Sequence, residues 1–496
     1  MVRPLNSPRK ADVVFGKYIL DSLSVGMYSD PLMVLREYLQ NSTDSLDLLQ
    51  TNQNKPKIEI KIDGRNRSLE ICDNGIGIPS PKVESTLLNI GASEKTSKIA
   101  RGFRGIGRLG GLGYCDTLIF TTKAKGERIV TECVWDAKLL RQLVASKEVC
   151  DTFFLIDKAT NVKSTVYSGS QQDHFFRVKM LNMHDSRNVL VNIPIIRSYV
   201  SQVAPVPFLP DFSFGNQINV ELTRHVPSYK FYTIILNNVP IYKPYQTSVA
   251  LSKDSFDTMQ DIQFVELFDG NNTLAFGWLG SLNLLGTINP LCRMDGIRLR
   301  CGNILLGNKD TLSPLFKETR FNHYLVGELH TVDDRLIPNS RRDDFEDCEL
   351  KGKLFNEFIK EIGVPNSFQI RELSKKRSLS TNHENTKILF SQAAMVTSNG
   401  YLSVHQRDRL ISQLNSVNGT HSIQEVMLAK KLSEELLVSQ DVLSIQNLSN
   451  RPKNEVIDIL KTILDILSKE IPRSKSTNKL ESKIYSVISD NNHFTK

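Results

Sequence analysis

The chain has 496 residues, 40% of them hydrophobic and 23% charged, with a formal net charge of +8. This length and apolar content suit about three domains with real cores. The mild basic excess permits contact with phosphates or nucleic acid without demanding it.

Taken in chain order, the opening M-V-R-P-L-N-S-P-R-K lacks the apolar core of a signal peptide, and no apolar run approaches a membrane span. The expectation is a soluble, cytoplasmic protein without membrane contact. Residues 30–49 read as an amphipathic helix, with Asp30 as its cap and Pro31 in its first turn. Leu32, Leu35, Leu39, Leu46 and Leu49 supply an apolar stripe. Glu37, Asn41 and Asp44 fall at i, i+4 and i+7, within about 60° of one another on one face. A carboxylate and an amide one turn apart can serve as a base and a magnesium ligand. They can equally be the solvated polar face of a surface helix.

The hairpin K-I-E-I-K-I-D, G-R-N, R-S-L-E-I-C-D alternates with period two and runs into D-N-G-I-G-I-P. A strand ending in Asp73, followed by Gly75, Gly77 and Ile78, sets a carboxylate beside exposed backbone, an arrangement that can read the edge of a base. Next come a basic segment with Lys95, Lys98, Arg101 and Arg104, and the glycine run G-F-R-G-I-G-R-L-G-G-L-G. Gly105, Gly107 and Gly110 spell a dinucleotide fingerprint, and Glu127 follows at a suitable distance. A polar basic stretch precedes them where that motif needs a buried strand, so the dinucleotide reading fails. The glycines instead suit backbone N–H groups wrapping phosphates, with cations around them.

Strand-like runs follow: D-T-L-I-F-T-T-K, R-I-V-T-E-C-V-W, D-T-F-F-L-I-D and H-F-F-R-V-K-M-L. Together they suggest a mixed sheet with helices on one face over residues 1–205. The proline-bearing Q-V-A-P-V-P-F-L-P-D-F marks a boundary near 206. A second strand-rich domain, 206–370, includes I-N-V-E-L, Y-T-I-I-L-N-N-V-P-I-Y, T-L-A-F-G-W-L-G and Y-L-V-G-E-L-H. Residues 371–385 read as a polar linker and 386–496 as a helical region, whose E-V-I-D-I-L-K-T-I-L-D-I-L-S-K-E-I is strongly amphipathic. G-N-I-L-L-G-N-K-D, 302–310, has Walker A glycine spacing but no Ser or Thr after Lys309, and reads as a turn between strands. The seven cysteines and nine histidines show no C-x-x-C or H-E-x-x-H spacing, so neither a disulfide framework nor a zinc site is indicated.

The order of these motifs between residues 37 and 113 resembles the GHKL nucleotide-binding fold. That fold is shared by gyrase, the ninety-kilodalton heat-shock chaperones, histidine kinases and the MutL repair proteins. The resemblance implies an α+β architecture: a Bergerat sandwich of mixed sheet and helices, an α/β transducer-like middle domain and a helical C-terminal region. It implies ATP and Mg²⁺ as ligands. Glu37 would be the general base for water, Asn41 the metal ligand, Asp44 an acid beside the nucleotide, and Asp73 the acceptor for the adenine amino group. Gly75, Gly77 and Ile78 would line the base, and Lys98, Gly102, Arg104, Gly105, Ile106 and Gly107 would form the lid.

L-I-P-N-S-R-R-D-D-F-E, 336–346, resembles the chaperone loop that brings a catalytic arginine from the middle domain, with Arg341 favoured and Arg342 as the fallback. T-S-K-I and G-F-R-G in the lid are similar to MutL. The late-strand threonine of the family has no match within 174–181, and the C-terminal region does not resemble the chaperone dimerisation domain. The implied protein is an Mg-dependent, ATP-hydrolysing conformational clamp of chaperone type. It would act on a protein partner or client and be homodimeric at least when ATP-bound. The alternatives are a MutL- or MORC-like ATPase on DNA, to which Lys375, Lys376 and Arg377 lend a basic cluster, and a module that holds nucleotide without turnover.

Overall fold

The computed structural model describes residues 30–49, 55–90, 107–146, 151–252, 255–401, 403–417 and 422–439. Lys98, Gly102, Arg104, Gly105, Ile106 and the amphipathic stretch 455–471 lie outside the described residues. The chain divides into two compact units, Met1–Leu373 and Ser374–Lys496.

The first unit opens with helix α1 (Leu32–Asp47), where the Asp30 carboxylate accepts from Leu32 N at 3.2 Å. The hairpin of β1 (Lys57–Asp63) and β2 (Ser68–Asp73) pairs Ile60 with Ile71, so alternation puts its apolar side chains on one face. Helix α2 (Val83–Leu88), strands β3 (Thr117–Lys123) and β4 (Ile129–Asp136), and helix α3 (Ala137–Ala145) come next. They are followed by α4 (Thr152–Ala159), β5 (Thr160–Val166), β6 (Phe175–Leu181) and α5 (Ile193–Val203). Helix α6 (Gly215–His225) leads to β7 (Thr233–Leu236) and β8 (Val239–Pro240). The eight strands make one sheet in the order β5-β4-β3-β6-β2-β1-β7-β8, antiparallel except for β7 beside β1. One continuous core joins α1 (Val34, Leu35, Leu39), α5 (Ile196, Val200) and one face of this sheet (Ile60, Ile71, Phe120, Trp135). This is a mixed sheet with helices packed on it, the α+β arrangement expected.

Four expectations change. D-T-F-F-L-I-D forms α4, not a strand: Asp151 caps it by accepting from Phe154 N at 2.7 Å, and Leu155 and Ala159, four apart, turn inward. I-N-V-E-L lies inside α6, where Ile218 and Leu222 share the buried face. In both segments the i, i+4 burial overrides β propensity. The boundary near 206 is not where the first sheet ends, because β7 and β8 complete that sheet from beyond it. The polar stretch 371–385 lies within one 36-residue helix. Nothing from 366 to 399 is Gly or Pro, and polarity alone does not break a helix.

A second sheet, order β11-β12-β15-β13-β14, follows a two-stranded ribbon of β9 (Ser248–Ala250) and β10 (Phe256–Thr258). Its strands are β11 (Asp261–Asp269), β12 (Asn272–Ser281), β13 (Gly296–Cys301), β14 (Ile304–Leu305) and β15 (Val326–Thr331). The Walker-like 302–310 begins in the turn between β13 and β14, where Gly302 and Asn303 both take positive φ. Helix α7 (Glu349–Phe358) and the start of α8 (Val364–Asn399) finish this unit. In the second unit α9 (Val404–Asn415) and α10 (Ile423–Val438) share a small core with Ala393 and Val396. No helix among the described residues is long and apolar enough to cross a membrane.

Behind the second sheet lies a fully buried ionic cluster. The Glu328 carboxylate accepts from Lys243 Nζ (2.6 Å), Arg300 Nε (2.6 Å) and Tyr245 OH (3.0 Å). Burial alone would raise its pKa, but Arg300 and Lys243 hold it well below the ordinary carboxylate range. Glu328→Ala would strand two cations in the interior. A loss of about 3–5 kcal/mol is expected, read as a lower denaturant midpoint.

Candidate functional site

Helix α1 carries the polar residues of the candidate site, and they are not a solvated face. Glu37 is 5% exposed, and Arg36, Gln40 and Asp44 are buried beside it, whereas Asn41 one turn on is half-exposed. The apolar stripe buries the helix against the sheet, and the glycine-rich turn 107–113 covers part of what remains. A side chain at Gly107 would place its Cβ 2.0 Å from Glu37 Oε2. Tyr38 OH donates to Arg108 O (3.2 Å) and accepts from Gly111 N (3.1 Å), fastening that turn to the helix.

The Asp73 turn sits at the end of β2. Asp73 Oδ1 accepts from Gly75 N at 2.9 Å. A Cβ on Gly75 would meet Ser45 Oγ at 2.1 Å, so the turn's backbone packs directly against a helix side chain. Gly77 has φ +66°, and a Cβ there would lie 2.1 Å from Lys123 O; both facts require glycine. Ile78 N donates to Thr122 Oγ1 at 2.8 Å. Glu127, the residue that fitted a dinucleotide reading, instead accepts from Ser80 N at 3.1 Å as the turn leaves.

Of the two arginines in 336–346, Arg341 is exposed, whereas Arg342 is 6% exposed with Nε 3.6 Å from Glu37 Oε1. The loop explains the choice. Arg342 takes the left-handed conformation, φ +61°, and its carbonyl accepts from Gly307 N (2.8 Å) and from Arg36 Nη1 (2.8 Å). Arg36 Nη2 also donates to Gly307 O at 2.9 Å. A left-handed arginine is strained by roughly 1–3 kcal/mol, and these bonds hold it. Arg36, Thr122 and the half-buried His174, whose Nδ1–H donates to Gly75 O at 2.6 Å, carried no motif in the sequence.

Burial pushes the Glu37 carboxyl up from its ordinary value, while Arg342 and Arg36 pull against it. Glu37 Oε1 has no hydrogen-bond partner among the described residues. A buried carboxylate can accept a proton from a water, and the guanidinium ion-paired with its Oε1 can stabilise an anion. Among the described residues no group of three His, Cys, Asp or Glu could hold a metal on its own. Half-buried Asn41 supplies an amide oxygen, a donor type suited to Mg²⁺, which keeps several waters and takes the rest of its shell from a ligand's phosphates.

Residues 28–150, covering α1, the Asp73 turn, the glycine turn and β3–β4, match the family described as histidine kinase-, DNA gyrase B-, and HSP90-like ATPase. The N-terminal fold is GHKL-like. The chain is also similar to curated chaperone proteins HtpG. With that of Bacillus licheniformis it is 30% identical over 131 residues, 22% of this chain and 21% of the relative. With that of Nocardia farcinica it is 25% identical over 182 residues, 32% and 27% of the two chains. With that of Campylobacter jejuni it is 35% identical over 85 residues, 15% and 14%. The chain thus spans at most about a quarter of the length of these curated relatives.

Proposed function

We propose that this chain binds Mg-ATP in its GHKL-like layer and hydrolyses it as a chaperone-like conformational clamp. The observation that carries the reading is the meeting of Arg342 with Glu37, 305 positions apart in sequence, inside a site whose base turn and glycine turn are both in place. In this reading Asp73 takes the adenine amino group and Gly75 and Gly77 let the base approach. Asn41 would hold Mg²⁺, which when bound neutralises phosphate charge. Glu37 orients water and accepts its proton. Arg342 offers positive charge where the γ-phosphate develops negative charge. Because Arg342 belongs to the loop that Arg36 and Gly307 hold, hydrolysis depends on that loop being docked against α1. Nucleotide state and shape are thereby coupled.

The clamp acts on protein partners, which the similarity to proteins named chaperones supports, and self-associates when ATP is bound. The test is turnover of Mg-ATP by the whole chain, alone, with an unfolded protein and with duplex DNA. Slow Mg-dependent hydrolysis, faster with the unfolded protein, is expected. Stimulation by DNA alone, falling steeply with salt, would instead favour the DNA-acting reading. Nucleotide binding without turnover would leave a binding module.

A further inference from the structure

Beside the turn just assigned to the base lies a buried cation that no step above uses. Lys123, the last residue of β3, is fully buried. Its ammonium donates to the carbonyl oxygens of Gln171 (3.1 Å), Asp173 and Ala124 (3.4 Å), and sits 5.2 Å from the centre of the Tyr167 ring. These partners are neutral carbonyls; the Asp173 carboxylate is turned instead to Tyr167 OH and Ser170 N, each at 3.1 Å. Burying an ammonium without a carboxylate is costly, and an apolar side chain would fill the same volume at lower cost. What the ammonium adds is a tie between the end of β3 and the 170–174 loop.

That loop ends on the base turn, because His174 Nδ1–H donates to Gly75 O. From the strand side Lys123 touches the same turn through its own carbonyl, which lies where a Gly77 side chain would be. Its neighbour Thr122 holds Ile78 N. The turn is therefore gripped at Gly75, Gly77 and Ile78 by groups that meet at Lys123. We infer that Lys123 is a positioning residue for nucleotide base recognition: its buried ammonium strings the 170–174 loop and His174 across the end of β3 and so sets where the Asp73–Gly77 turn presents itself to the base. The inference rests on the ATP-binding reading and goes beyond it, since neither Lys123 nor His174 touches the nucleotide in that scheme.

The experiment compares the full-length chain with Lys123→Met, Lys123→Arg and His174→Ala. Affinity for Mg-ADP is measured directly, and Mg-tripolyphosphate, which carries phosphates but no base, is measured by competition. Loss of charge-assisted bonds at the support of the turn is expected to weaken ADP about tenfold in Lys123→Met. Tripolyphosphate affinity should be unchanged, KM for ATP should rise with ADP's Kd, and kcat should move by less than about threefold. Lys123→Arg is expected to recover part of the loss. Unchanged ADP affinity in a folded Lys123→Met overturns the inference, and so does equal weakening of ADP and tripolyphosphate. Should Lys123→Met not fold, His174→Ala leaves the ammonium's carbonyl partners in place and decides the matter by the same pair of measurements. Failure of the wild-type chain to bind ADP would overturn the ATP reading itself, and this inference with it.

Discussion

Replacing Glu37 with glutamine is expected to lower ATP turnover by about 10²- to 10⁴-fold while nucleotide binding is retained. Glutamine keeps the shape of the side chain, with Gly107 packed against Oε2 and Arg342 Nε 3.6 Å from Oε1. The change therefore removes the proton acceptor and little else. Single-turnover hydrolysis alongside equilibrium binding separates the two effects, and a Glu37→Gln protein with wild-type turnover would end the assignment.

The environment of Glu37 also sets a pH dependence. Burial raises its pKa above the ordinary value of 4.5. The base works only when ionised, so turnover is expected to fall on acidification at a pH above that of an ordinary glutamate. The linkage to stability has the opposite sign. A raised pKa means that the protonated group favours the fold. That contribution is complete below 4.5 and is lost as pH rises through the raised value. At neutral pH Glu37 thus costs stability relative to its protonated form, a compromise characteristic of functional sites.

The second large effect is expected at Arg342. Arg342→Ala should lower turnover by about 10²- to 10³-fold, while Arg341→Ala should change it less than about twofold. Removing Arg342 also removes the largest influence that opposes burial at Glu37, so the acid limb of the pH–rate profile should move further up. This coupling distinguishes a charge facing the base from a loop residue that merely packs. Arg342→Gly supplies the remaining control: glycine takes φ +61° without strain, so the loop keeps its shape while the charge is gone. Wild-type turnover in Arg342→Gly would exclude the guanidinium from the reaction.

Much of this could be read from the chain before folding. Local physics fixes period-two alternation through 57–73, the 3.6-residue period of 32–47, and glycines where only glycine fits. Those signals are carried by neighbours in sequence, and α1, the hairpin and the Asp73 turn follow from them. Two segments rich in β-branched and aromatic residues misled, because Thr152–Ala159 and Gly215–His225 became helices once one face found a core. Propensity is a weak bias beside burial.

Neighbouring residues alone place a carboxylate and an amide one turn apart on a helix, an acid before a glycine turn, and two arginines together near residue 341. Which of the two arginines faces Glu37 depends on long-range packing, and it is Arg342. That choice depends on the left-handed turn at Arg342, and this turn exists because Arg36 and Gly307, 306 and 35 positions away, bond its backbone. Long-range packing also buries the Glu37 face and sets Lys123 and His174 behind the base turn. Such facts rest on bonds between distant residues, whose partners no local pattern names.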